Sequence, residues 1–251
     1  MEKSKFKIIL DGILIPFVIY FFITMIVSMV FVLINGGKNP NAVLVQGIAD
    51  IFVFAALYPL YVAFKNRYNV VNNKFDFKSC LYMIPLALSI CVIGNILVDY
   101  IPRETENMVT TEVYNLAKEY NIFLSLFIVS VLIPIIEELL FRGFFYDAAK
   151  ILANDIVAII FTSFAFAIAH FELRQSLYAF FAGLFLGYIK YKYKNIIYTI
   201  VTHLLMNFFT LVIVPTILIT KDIRTRAYAL LICAAMLIFT MYRINMKKNI
   251  S

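Results

Sequence analysis

Long apolar runs separated by short polar stretches make up most of the chain. Segments at roughly 8–34, 42–64, 80–100, 122–149, 155–172, 175–192, 195–219 and 227–243 are apolar over about the 20 residues that a membrane-spanning helix needs. The pattern predicts an all-α fold, a polytopic membrane helix bundle with about eight transmembrane helices. The one long interruption, "IPRETENMVTTEVYNLAKEY" over 101–120, carries Val109, Val113, Leu116, Ala117 and Tyr120 at helical spacing. It predicts an amphipathic segment lying along the membrane surface.

Composition agrees: 63% of the residues are hydrophobic and 15% charged, where a soluble domain lies nearer half apolar and a quarter charged. The net charge of +7 does not imply a nucleic-acid partner, because the Lys and Arg fall in short patches between apolar runs. With a cytoplasmic N-terminus, Lys3/Lys5/Lys7, Lys65/Arg67/Lys74/Lys78, Arg142/Lys150, Lys190/Lys192/Lys194 and Arg243/Lys247/Lys248 lie inside. Lys38, Arg103, Lys118, Arg174, Lys221, Arg224 and Arg226 lie outside. The positive-inside rule therefore favours two cytoplasmic termini, with the Lys221/Arg224/Arg226 cluster running against it. The first run follows three lysines as a signal peptide would, but it continues to Ile34 and no A-x-A-like site follows, which predicts a retained helix. Rich use of Lys, Ile and Asn points to an AT-rich genome and a bacterial cytoplasmic membrane. Cys80, Cys91 and Cys233 are isolated in apolar stretches and read as buried packing residues.

Ionisable groups inside spans cost about 2.5–3.5 kcal/mol each on insertion scales, which makes them functional candidates. They are Asp50, Glu137, Glu138, Arg142, His170 and His203, with the amide of Asn207 beside them. In "EELLFRGFFYD", Glu138 and Arg142 are four apart and share a helix face, as an ion pair requires. Glu137 lies about 100° around the helix and has the profile of a general base among apolar side chains. His203 and Asn207 again share a face, offering two hydrogen-bonding groups in one direction. At about 1.5 Å per residue, Glu137 is about 20 Å from Lys150, His170 about 22 Å from Asp155 and Asn207 about 18 Å from Asn195, so the depths are compatible. Asp50 stands alone and reads as structural or snorkelling. Gly183 and Gly187 form a G-x-x-x-G spacing that admits a close helix neighbour. Pro134, one turn before Glu137, predicts a kink.

"EELLFR", "FAIAH" (Phe166 to His170) and "HLLMN" (His203 to Asn207), in this order from about Ser125 to Phe209, resemble the three motifs of the CPBP family. That family takes in CAAX prenyl endopeptidases of the Ras-converting type and bacterial Abi-type, bacteriocin-processing and immunity proteins. The resemblance implies that Glu137 and His170 activate water, that His203 and Asn207 stabilise the oxyanion, and that Glu138 and Arg142 form a supporting ion pair. It divides the chain into N-terminal helices and a surface segment over 1–121, a catalytic core over 122–219, and a last helix with a basic tail over 220–251.

No cofactor is favoured. A divalent metal such as zinc, held by Glu137, His170 and His203 with an open fourth position, is the alternative. Against it, the chain has no H-E-x-x-H helix, and a zinc-bound water would lack a separate base unless Glu138 left Arg142. The expected partners are membrane lipid and a peptide or membrane-protein substrate; the oligomeric state is not legible. A binding or immunity protein that acts without catalysis is the second reading. A proton-coupled transporter ranks third, since no inverted repeat is evident.

Overall fold

The computed structural model describes residues 4–37, 41–102, 108–219 and 222–246, and among them all regular structure is helical. The helices are α1 (Lys5–Ile34), α2 (Ala42–Tyr68), α3 (Phe77–Asp99), α4 (Met108–Glu119), α5 (Ile122–Leu152), α6 (Asp155–Ile168), α7 (Leu173–Tyr193), α8 (Ile196–Val212), α9 (Val214–Ile219) and α10 (Ile223–Met246). Of the topology residues, Lys3, Lys38, Arg103, Lys221, Lys247 and Lys248 lie outside the described residues.

Five helices, α1, α2, α3, α5 and α10, are long and apolar enough to cross a membrane. The expected count of eight is not reproduced. Helices α6 and α8 are apolar but run 14 and 17 residues, about 21 and 25 Å against a hydrocarbon core of about 30 Å. Helix α7 has 21 residues, but Arg174, Gln175, Lys190 and Lys192 dilute its apolar character. The architecture is an all-α membrane bundle of five long spans with shorter or more polar helices, and the protein is integral to the membrane.

The chain divides into two compact units. One holds α1, α2, α4 and α5; the other holds α3 and α6 to α10. The 122–219 segment thus contributes α5 to the first unit and α6 to α9 to the second.

In the first unit, α2 packs along α1, α4 and α5. Val113 and Leu116 of α4 are buried, so part of the apolar stripe of 101–120 is covered by protein; the side chain of Val109 lies outside the described residues. Both α1 and α5 contain π-helical segments, at Leu10–Leu14 and Ile128–Leu132. Each segment is followed two residues later by a proline, Pro16 and Pro134. Proline lacks the N–H for a backbone bond and its ring clashes with the carbonyl four residues back. That carbonyl, of Gly12 or Ser130, falls inside the wider π turn, which relieves the conflict. The predicted effect of Pro134 is therefore expressed as a widened turn. Gly12 also has no room for a side chain: a Cβ there would stand 2.6 Å from the Ala148 Cβ and 2.9 Å from the Phe64 ring.

In the second unit, α6 packs on α7, and α3 packs against α7, α8 and α10. Met83, Leu86, Ile90, Leu186, Ile189 and Met206 form the centre of its core. The Gly183 and Gly187 face of α7 receives α6: a Cβ on Gly183 would lie 2.9 Å from the Ser163 Cα, and one on Gly187 3.1 Å from Ile159. Asn195 caps α8 by accepting from the Ile197 N–H at 2.9 Å and donates to the Asn73 carbonyl at 2.8 Å. At the other end of α3, Arg174 donates to the Ile101 and Asp99 carbonyls at 2.6 and 2.5 Å, while Arg226 meets the Asp99 carboxylate at 2.9 Å. Two arginines on the nominally outer side are thereby committed to helix-end carbonyls and an acid. Cys91 and Cys233 are buried as expected, whereas Cys80 is only partly so.

Candidate active site

The first unit carries the acidic motif. Glu137 and Glu138 end the regular turn Ile133–Glu138, and a third π-helical segment, Leu139–Phe145, begins at the next residue and contains Arg142. Single π turns inside α-helices cluster at functional positions because they re-aim side chains at the expense of a regular ladder. Arg142 Nη1 lies 3.0 Å from Glu138 Oε1, and both side chains are fully buried. A charge-assisted bond of this kind offsets part of the desolvation of both ions, and removal of either partner strands the other. Glu137 differs from its neighbour in being only partly buried, and it stands within electrostatic reach of the same guanidinium. Two consecutive carboxylates thus occupy different environments.

The expectation that Asp50 stands alone is corrected. It is 1% exposed, its Oδ1 accepts from Gln46 Nε2 at 2.8 Å, and the same nitrogen reaches the Tyr20 hydroxyl at 3.4 Å. Asp50 and Tyr20 are both within electrostatic reach of Glu137. Neither Tyr20 nor Gln46 is singled out by the sequence motifs. The signal that could have found Gln46 is its spacing of four from Asp50, the same rule that pairs Glu138 with Arg142.

The second unit carries the imidazoles. The run "FAFAIAHFE" predicts that His170 continues a helix, and here the structure differs. Helix α6 ends at Ile168, and His170 sits in the turn before α7, partly buried. The turn closes through Phe171, whose φ of 54° lies in the left-handed region that a bulky residue rarely adopts. Glu172 then caps α7, accepting from the Arg174 and Gln175 N–H groups at 3.1 and 2.8 Å. No glycine or proline marks this stop. His170 Nδ1 lies 2.8 Å from the Phe166 carbonyl. Since a carbonyl only accepts, Nδ1 carries the hydrogen in the neutral ring, and Nε2 is the nitrogen with the lone pair, the one able to take a proton.

Phe166 has a further role that the motif spacing alone does not reveal. Its ring meets His170 edge-on at 4.7 Å between centroids and His203 edge-on at 5.5 Å. The two histidines are therefore gathered around one aromatic ring. His203 is buried in the middle of α8, and Asn207 follows one turn later on the same helix, partly buried. The structure thus brings Glu137, Glu138 and Arg142 together in one unit, and His170 and His203 in the other with Asn207 one turn along. Among the described residues, neither unit groups three His, Cys, Asp or Glu side chains as a metal ion would require.

Residues 119–209 match the family model described as type II CAAX prenyl endopeptidase, Rce1-like. The matched segment runs from the last residue of α4 into α8 and contains all six motif residues, in keeping with the resemblance to CPBP proteases. It supports the general class of a CAAX-type intramembrane endopeptidase, a hydrolase. Comparison with curated proteins and with solved structures gave no match.

Proposed function

We propose that the protein hydrolyses a peptide bond in a membrane-associated or lipid-modified peptide or protein, with water activated by Glu137 and His170. The observation that carries this reading is the division of labour between adjacent carboxylates: Glu138 is buried against Arg142, while Glu137 keeps partial access. Glu137 takes a proton from water as the oxygen attacks the amide carbon. His170 Nε2 accepts a hydrogen bond from the same water. The carbonyl electrons move onto its oxygen, where donors from His203 and Asn207 meet the developing charge. Collapse breaks the C–N bond, and the proton held by Glu137 passes to the departing amine. Every atom and proton is accounted for by the chain's own groups and one water. We place the protein in a bacterial cytoplasmic membrane with both termini in the cytoplasm.

Purified protein in liposomes, given an internally quenched peptide ending in a prenylated Cys-aliphatic-aliphatic-X sequence, tests the chemistry. Cleavage by wild type and none by Glu137→Gln is the expected result; equal cleavage by both removes Glu137 from the role of base. Metal analysis of wild type and His170→Ala decides the zinc alternative, since stoichiometric zinc lost in the variant would put a metal-bound water in place of the carboxylate base. Protection against a bacteriocin that survives Glu137→Gln would favour immunity by binding.

A further inference from the structure

The turn that carries His170 is tied to the end of α3 by an unbroken chain of hydrogen bonds. The His170 carbonyl accepts from the Glu172 N–H at 2.7 Å, and Glu172 Oε1 accepts from the Arg174 N–H at 3.1 Å. The Arg174 side chain then reaches α3, where Nε donates to the Ile101 carbonyl at 2.6 Å and Nη2 to the Asp99 carbonyl at 2.5 Å, with the Asp99 carboxylate 3.6 Å away. Basic side chains satisfy the last carbonyls of helices in this way. Within the same turn Phe171 has a φ of 54° and is 93% exposed, so packing of its ring does not hold the conformation. A bulky residue in the left-handed region persists only where its surroundings over-determine it, and such residues gather at functional sites. Glycine would fit there without strain. The bonds of Glu172 and Arg174 are the surroundings that hold Phe171 in place.

We propose that Arg174 is a positioning residue for His170: it pins the start of α7 to the end of α3 and so holds the strained turn shut. The closed turn keeps Nδ1 of His170 on the Phe166 carbonyl at 2.8 Å and leaves Nε2 to take a proton. The proposal rests on the reading of His170 as a group that meets the attacking water. Arg226 of α10 also meets the Asp99 carboxylate, at 2.9 Å, but it is no link in the chain of bonds that leads to His170.

NMR of the full protein in lipid bilayers, with isotopically labelled histidine nitrogens, reads this turn without any substrate. The chain has two histidines, and the signals lost in His170→Ala identify His170. In wild type, with the ring neutral, its protonated nitrogen is Nδ1. In Arg174→Gln the hydrogen distributes over both nitrogens as the bond to Phe166 loosens, while Arg226→Gln, which breaks an ion pair on the same carboxylate, leaves the wild-type pattern. Wild-type signals in Arg174→Gln, or the same change in Arg226→Gln, overturn the proposal. Should Arg174→Gln not fold, Glu172→Ala cuts the middle link, and it must move the same signals or the proposal fails. In the liposome assay, Arg174→Gln lowers kcat about tenfold or more per folded molecule, with KM little changed. A wild-type kcat, or a loss carried by KM, beside an inactive His170→Ala would overturn the positioning and leave the endopeptidase reading intact. Full activity in His170→Ala would overturn the part of that reading that gives His170 the water, while the NMR result on the turn would stand.

Discussion

The two units place their candidate groups by opposite means. In the first, charges enter an apolar helix, and the chain meets the cost with a dedicated ion pair, Glu138–Arg142, and with a π-helical segment that starts where the pair begins. In the second, the side chains are imidazoles and an amide, and the contacts are of another kind: one phenylalanine ring that meets both histidines, a carbonyl that fixes one tautomer, and two glycines that let α6 and α7 close up. The difference teaches that a fully buried charge in a membrane helix is held by an opposite charge, whereas the imidazoles are oriented by a shared ring and a backbone carbonyl.

Five substitutions sharpen or break this contrast. Glu137→Gln has the largest effect on rate, about 10²–10⁴-fold on cleavage, with a smaller change in melting temperature than the buried Glu138–Arg142 pair shows when it is broken. A fall in melting equal to that of the ion-pair variants would erase the distinction between the two glutamates. Arg142→Ala strands the buried Glu138 and costs about 3–5 kcal/mol of stability. Adding Glu138→Gln to it recovers part of that loss in a double-mutant cycle, and additive losses in the cycle would show that the two residues do not act as a pair. Gly183→Ala pushes a Cβ to within 2.9 Å of the Ser163 backbone, so α6 must shift. The expected loss is about 1–3 kcal/mol, and wild-type thermal stability would show that the close approach is not needed. Phe166→Leu removes two ring contacts worth about 0.5–1.5 kcal/mol each, which predicts a several-fold drop in cleavage with the substrate KM little changed. A wild-type rate would deny the ring any part in holding the histidines.

Much of this was legible in the sequence, for identifiable reasons. Apolar runs of sufficient length announce α1, α2, α3, α5 and α10, and spacing of four announces the Glu138–Arg142 pair and the shared face of His203 and Asn207. The count of eight spans is not confirmed where helices are short or diluted, as in α6 and α7, because an apolar run does not reveal where its helix stops. His170 shows this most clearly: the stop after Ile168 rests on Phe171 in a left-handed conformation, and nothing in "AIAHFE" signals it. The polar network at Asp50 was missed for a different reason. Gln46 was within reach of the spacing rule, but Tyr20, which Gln46 also meets, is a long-range neighbour on α1 that no local pattern links to α2.

The central claim is that Glu137 works on water while Glu138 does not. It is tested most directly by expressing wild type, Glu137→Gln and Glu138→Gln at matched folded levels in the host's own membranes and comparing peptide termini by mass spectrometry. The account predicts a set of termini that is present with wild type, absent with Glu137→Gln, and present with Glu138→Gln in proportion to the protein that remains folded. Identical termini in wild type and Glu137→Gln, with both proteins folded, would contradict it.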